Sequence, residues 1–142
     1  MSIKLLSDND KIEIGSFPDN THIIHVESEK QLSDSITIKW KYETDEELFS
    51  LICITRYLQD QGVSKIDLSI PYIPNARFDR VNNQDEVFTL KYFAEVINSL
   101  HFNRVYVLDA HSNVSLALIN NVVQLDVKPV IQHVIKAFKP EV

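Results

Sequence analysis

Arg77, Asp79 and Arg80 crowd two cations and one carboxylate into four positions. A planar guanidinium matches a pair of phosphate oxygens through two parallel hydrogen bonds. Asp79 can hold one arginine in place, or accept a hydrogen bond from a base or a ribose. The alternative is a solvated loop that closes a local ion pair, and both readings remain open on these residues. Asp109-Ala110-His111 is a second cluster. A carboxylate beside a histidine can ligate a metal or exchange protons, although a lone histidine is more commonly a satisfied surface residue. His22, His25, His101 and His133 lack a comparable setting and read as structural or exposed. Cys53 has no cysteine partner and reads as an inert core thiol, while Phe17, before Pro18-Asp19, is either core or an aromatic platform.

The elements that must position these clusters follow from periodicity. Ile12-Glu13-Ile14 and Ile36-Thr37-Ile38-Lys39-Trp40 alternate apolar and polar residues, the period of a half-buried strand, and residues 22–26 follow it less cleanly. Pro18-Asp19-Asn20 marks a turn between them. At Thr44 the period changes. Thr44 with Glu47 forms a capping box, with Thr44 as N-cap, and Leu48, Leu51, Ile52, Thr55 and Leu58 continue at helical spacing up to a C-capping Gly62. A strand over 66–70 stops at Pro71, and 71–86 form a long polar loop. Phe93, Val96, Ile97 and Leu100 mark a second helix, and 105–108 an apolar strand covered on both faces. A short helix near 112–119, a strand at 122–127 and a last helix over 130–138 complete the chain. Strands alternating with helices imply a parallel sheet with right-handed crossovers. Ligands then bind beyond the carboxyl ends of the strands, where the Arg77 and Asp109 clusters both fall.

Composition limits the function further. A chain of 142 residues suits one domain, and its net charge of −6 disfavours a dedicated nucleic-acid or anionic-membrane binder. No apolar run approaches the roughly 18 to 20 residues of a membrane span, and the N-terminus lacks the layout of a signal peptide. One cysteine excludes an internal disulfide or a multi-cysteine metal site, and a reducing, cytoplasmic setting is expected. Only two glycines, Gly15 and Gly62, leave no glycine-rich phosphate cradle in these residues.

The segment Ile70-Pro71-Tyr72-Ile73-Pro74-Asn75-Ala76-Arg77-Phe78-Asp79-Arg80 resembles the "IPYFPYARQDR" segment of the ribose-phosphate diphosphokinases (phosphoribosyl-diphosphate synthetases). Val107-Leu108-Asp109-Ala110-His111-Ser112 resembles their "VDLH" strand end, and Phe17-Pro18-Asp19-Asn20-Thr21 their "FSDGE" turn. The resemblance covers roughly residues 12 to 127. It implies an α/β domain of phosphoribosyltransferase-like fold, a parallel sheet flanked by helices with an N-terminal antiparallel flap of strands. It further implies that Arg77 and Asp79 contact ATP with Arg80 nearby, that His111 helps bind Mg²⁺, and that Phe17 and Asp19 reach into the ATP site of a neighbouring subunit in a homo-oligomer. The family reaction moves the β,γ-diphosphate of MgATP onto the 1-hydroxyl of ribose 5-phosphate and releases AMP.

The pattern departs from the family in places. Family enzymes have two similar domains, the second carrying a sugar-phosphate loop with a Thr-Gly-Gly-Thr-like turn, and residues 1–142 contain no such loop. They therefore read as a single N-terminal domain, inactive alone. The strand–helix unit that usually precedes the "FSDGE" turn shrinks to about a dozen residues. Asn20, Thr21 and Phe78 replace the family's Gly, Glu and Gln, and 114–119 replace its "QIQGFF" stretch. A non-catalytic regulatory or assembly homologue, or a phosphoribosyltransferase-like binding protein, are the alternatives.

Overall fold

A computed structural model describes residues 3–7, 9–77, 81–110 and 113–125. Its centre is a five-stranded sheet. The strands are β1 (Ile3–Leu6), β4 (Ser35–Trp40), β5 (Lys65–Tyr72), β6 (Arg104–Asp109) and β7 (Val122–Gln124), in that spatial order. β4 to β7 run parallel, so the parallel sheet begins one strand earlier than the alternating pattern after residue 62 implies. Parallel neighbours need crossovers. These are supplied by helices α1 (Glu46–Asp60), α2 (Thr89–Ser99) and α3 (Asn113–Leu118). The helices lie side by side: Arg56 and Gln59 of α1 donate to the Ser99 and Leu100 carbonyls at the end of α2, and Asn98 of α2 donates to the Leu118 carbonyl of α3. A sheet that advances in one direction through right-handed crossovers collects its helices on one face. That face carries Ile36, Ile38, Trp40, Ile66, Leu68, Ile70, Val105 and Val107, all buried. The expected burial of β6 on both faces is therefore only half met. Tyr106 and Leu108 are half-buried, and the rows beside them on β4 and β5 are polar, with Thr37, Asp67 and Ser69 half-buried and Lys39 exposed.

β1, which the periodicity does not flag, joins the edge antiparallel to β4, Ile3 opposite Trp40 and Leu5 opposite Ile38. Residues 7–9 are too short for a crossover, so no parallel return is open to the chain here. It passes instead into the expected flap, a separate antiparallel pair of β2 (Asp10–Ser16) and β3 (His22–Ser28). One face of the flap, Ile12, Ile14, Ile24 and Val26, packs on the core cluster. At its base Asp10 is buried, and its Oδ2 accepts from the Ser7 and Ser33 hydroxyls at 2.8 and 3.3 Å.

Helix α1 forms where the spacing puts it, with one correction at its start. Asp45, not Thr44, is the N-cap, and no side chain caps the first turn. The capping box is half made. Glu47 Oε1 accepts from the Thr44 and Glu43 N–H groups at 2.9 and 2.7 Å, but the Asp45 carboxylate is taken by the Tyr42 phenol. The other end is a Schellman motif. The Val63 N–H reaches the Leu58 carbonyl at 3.1 Å, the Gly62 N–H reaches that of Gln59 at 3.0 Å, and Gly62 takes the left-handed φ of 88° that the motif requires. Val63 and Leu58 are both buried, the apolar contact that accompanies it.

β5 does not stop at Pro71 but continues to Tyr72. The Asn103 N–H donates to the Ile66 carbonyl, so even-numbered residues of β5 face β6 and odd ones face β4. The ladder to β4 ends at Lys39–Ser69, so the missing N–H of Pro71 points past its last pair, where the ring is tolerated. The last strand, expected over 122–127, ends at Gln124 with Leu125 beyond it, and residues 126–127 and the helix expected over 130–138 lie outside the described residues. Among the described residues no helix is long and apolar enough to cross a membrane.

Candidate functional site at the carboxyl edge of the sheet

β5 and β6 end level with each other, Tyr72 opposite Asp109. The chain leaves β5 through a tight turn. The Ala76 N–H donates to the Ile73 carbonyl at 3.2 Å, Pro74 occupies the second position, and Asn75 the third with φ 67°. Proline followed by a left-handed residue is the signature of a type II turn, and asparagine is among the few side chains that accept that φ. Ile73 and Ala76 are buried and hold the turn down, which leaves Arg77 exposed immediately beyond it. A cavity of about 410 Å³ opens there, lined by Tyr72, Ile73, Asn75, Ala76 and Arg77. On the neighbouring strand Asp109 is exposed and Ala110 buried, and the Ser115 hydroxyl of α3 donates to the Ala110 carbonyl at 2.8 Å, anchoring the strand end. Of the residues singled out in the sequence, Phe78, Asp79, Arg80, His111 and His133 lie outside the described residues.

Phe17 and Asp19 sit elsewhere, at the tip of the flap, and neither lines the Arg77 cavity. The tip is rigidly built. The Asn20 N–H donates to the Phe17 carbonyl at 2.9 Å and the Phe17 N–H to that of Thr21 at 2.8 Å, with Asn20 at φ 67°. Asp19 Oδ1 accepts from the Thr21 hydroxyl at 2.6 Å and its N–H at 3.0 Å, and these bonds hold the carboxyl below the usual range. Phe17 is 53% exposed, so it is not core. Just below the tip, His22 Nδ1 bonds the buried Ser50 hydroxyl of α1, a structural role for this histidine. Cys53 is only half-buried and borders a cavity with Ile24, His25, Val26 and Tyr57, so it is not the core thiol its position suggested.

A third loop borders this edge, which the motifs did not single out. Residues 41–45 connect β4 to α1. Tyr42 lies edge-on to Trp40 with ring centroids 5.7 Å apart, its phenol donates to Asp45, and its carbonyl accepts from the Tyr72 hydroxyl at 3.1 Å. The bond to the Asp45 carboxylate, followed by burial, pushes the Tyr42 phenol up to about 12. Nothing in the local sequence around Tyr42 announces this contact, because its partner stands thirty positions away.

No protein-family model matches the chain. Curated relatives do. A ribose-phosphate pyrophosphokinase of Pyrococcus abyssi is 28% identical over 102 residues, 71% of this chain and 35% of the relative. The pyrophosphokinase of Fusobacterium nucleatum is 29% identical over 104 residues, 72% of this chain and 33% of the relative. The chain thus spans about a third of the length of the curated relatives it matches. In fold it is similar to the crystal structure of phosphoribosylpyrophosphate synthetase from Mycobacterium smegmatis, with a TM-score of 0.75 at 13% identity, over 89% of this chain and 43% of that one. The mostly parallel sheet with its helices is that phosphoribosyltransferase-like fold, and in sequence the chain is a divergent relative of the ribose-phosphate pyrophosphokinases.

Proposed function

We propose that residues 1–142 form the N-terminal, ATP-side domain of a ribose-phosphate diphosphokinase, which moves diphosphate from MgATP to ribose 5-phosphate and releases AMP. The observation that carries this reading is Arg77, exposed at the rim of a 410 Å³ cavity beyond the carboxyl end of β5. Ligands of open α/β sheets bind at that edge, and a guanidinium there suits a polyphosphate. Arg77 and Asp79 bind the nucleotide, with Arg80 beside them. Phe17 and Asp19, on the hydrogen-bonded tip of the flap, serve the nucleotide site of a second subunit. Diphosphate transfer needs charge neutralisation and alignment more than a covalent intermediate, and these residues supply both.

The family chemistry uses Mg²⁺. Among the described residues no group of three or more His, Cys, Asp or Glu side chains could hold a metal. A magnesium ion carried in by phosphates needs only one or two protein ligands. The carboxylate Asp109 at this edge fits that requirement, and His111 completes the pair. The ion, when bound, neutralises phosphate charge. Ribose 5-phosphate is left to a second domain, so the 142-residue chain alone is inactive, and turnover by it would overturn that statement.

The experiment is to express the natural reading frame to its own stop codon and follow AMP release from MgATP. Release that depends on ribose 5-phosphate supports the reading. A folded full-length protein that releases no AMP overturns it in favour of a regulatory homologue. One observation favours that second reading: Thr21, where the family has Glu, gives its hydroxyl proton to Asp19 in a local bond within the tip.

A further inference from the structure

We propose that Tyr72 is a positioning residue for this site: its hydroxyl ties the turn that carries Arg77 to the β4–α1 connection at Tyr42. The inference rests on Arg77 being a nucleotide ligand. The ladder between β4 and β5 ends at Lys39–Ser69, and Pro71, which faces β4, has no N–H to extend it. On that side the backbone ladder stops at Ser69, three residues short of Tyr72. The Tyr72 hydroxyl, 3.1 Å from the Tyr42 carbonyl, restores the link through a side chain.

The anchor it reaches is fixed by two contacts of its own. Tyr42 meets Trp40 edge-on, and Trp40 is wholly buried against Phe93 of α2, their ring centroids 6.2 Å apart. The Tyr42 phenol holds Asp45 at the start of α1. Tyr72 is therefore tied to the core and not to a loose loop. On the other side it stands opposite Asp109 and directly precedes Ile73, where the turn begins. Among the described residues one backbone bond, Ala76 to Ile73, closes that turn. Loss of the Tyr72 hydroxyl bond removes the tie of the turn to the β4–α1 connection, and leaves the β5–β6 register, that turn bond and the burial of Ile73 and Ala76 to place Arg77. Tyr72 thus acts through Arg77.

Tyr72→Phe removes the hydroxyl and keeps the ring. The first measurement is amide hydrogen exchange of the free chain. Exchange across 73–77 rises several-fold in the variant while α2 is unchanged, and unaltered exchange at 73–77 overturns the proposal. The second is MgATP titration of the chain. Tyr72→Phe weakens binding about two- to ten-fold, the worth of one hydrogen bond, and the loss vanishes in an Arg77→Ala background. Equal losses in both backgrounds overturn positioning through Arg77, since a merely structural role would be additive. If the native chain does not bind MgATP, or Arg77→Ala leaves binding unchanged, the nucleotide reading itself fails, and the exchange measurement still decides whether Tyr72 sets the turn.

Discussion

Tyr72 and Asp109 face each other as the last register pair of β5 and β6. The two segments that carry the candidate ligands therefore leave the sheet at one level. Arg77 follows the first by five residues and His111 the second by two. Two clusters 32 positions apart, Arg77 and Asp109, are thus brought to one edge by strand register alone.

Arg77→Ala in the full-length protein raises the ATP concentration needed for half-maximal turnover, with a loss of about 1.5–3 kcal/mol, the range for a hydrogen bond to a charged group. Arg77 is exposed, so thermal unfolding stays unchanged. A steady-state ATP titration beside a melting curve checks both halves. An unchanged titration removes Arg77 from the nucleotide site.

Phe17→Ala leaves stability intact, because the ring is 53% exposed. If Phe17 serves a neighbouring subunit, the full-length variants Phe17→Ala and Arg77→Ala, each impaired at limiting ATP, recover part of the lost activity when refolded together. Some mixed sites then receive native residues from both chains. Recovery no greater than the sum of the separate variants means that Phe17 works within its own subunit, or not at all.

Much of this architecture is legible in the sequence because its signals are local. Strand period, the helical spacing of Leu48 to Leu58 and the Gly62 stop each need only a short window, and each forms where the pattern puts it. Errors arise where something other than the local period decides. Thr44 loses the N-cap to Asp45, whose own carboxylate then goes to Tyr42. Pro71 does not end β5, since whether a missing N–H matters depends on where the β4 ladder runs out. β1 has four residues, too few for a periodicity to declare itself. In the site, Arg77 and the Asp109 strand end are visible as residue types. The Tyr42–Tyr72 link is not, because it joins a backbone carbonyl of the β4–α1 connection to a β5 side chain thirty positions away.

Gly62→Ala isolates the backbone term of the α1 stop. A Cβ at Gly62 would meet no heavy atom within 4 Å, so packing contributes nothing to the change. The residue sits at φ 88°, where an L side chain costs about 1–2 kcal/mol. Chemical denaturation should show a loss of that size with an unchanged dependence on denaturant, and a neutral substitution would mean that the turn relaxes to a negative φ.

Asp10 makes stability depend on pH in a stated direction. The carboxyl is 1% exposed, and burial alone would raise its pKa. The hydroxyls of Ser28, Ser7 and Ser33 outweigh burial and hold it below the usual carboxylate range. The folded value therefore lies under the unfolded value of about 3.9. Such a group stabilises the fold fully above the unfolded value and loses its contribution as pH falls through the folded one. Asp10→Asn keeps the shape and removes the charge, and at neutral pH it costs about 1–3 kcal/mol through the weakened hydroxyl bonds. Denaturation of the native chain and the variant from pH 7 to pH 2.5 should show curves separated by that amount above pH 5 and converging below about pH 4. Curves that stay parallel down to the lowest pH would show that the flap base is held by shape and hydroxyls, with no contribution from the ionised Asp10.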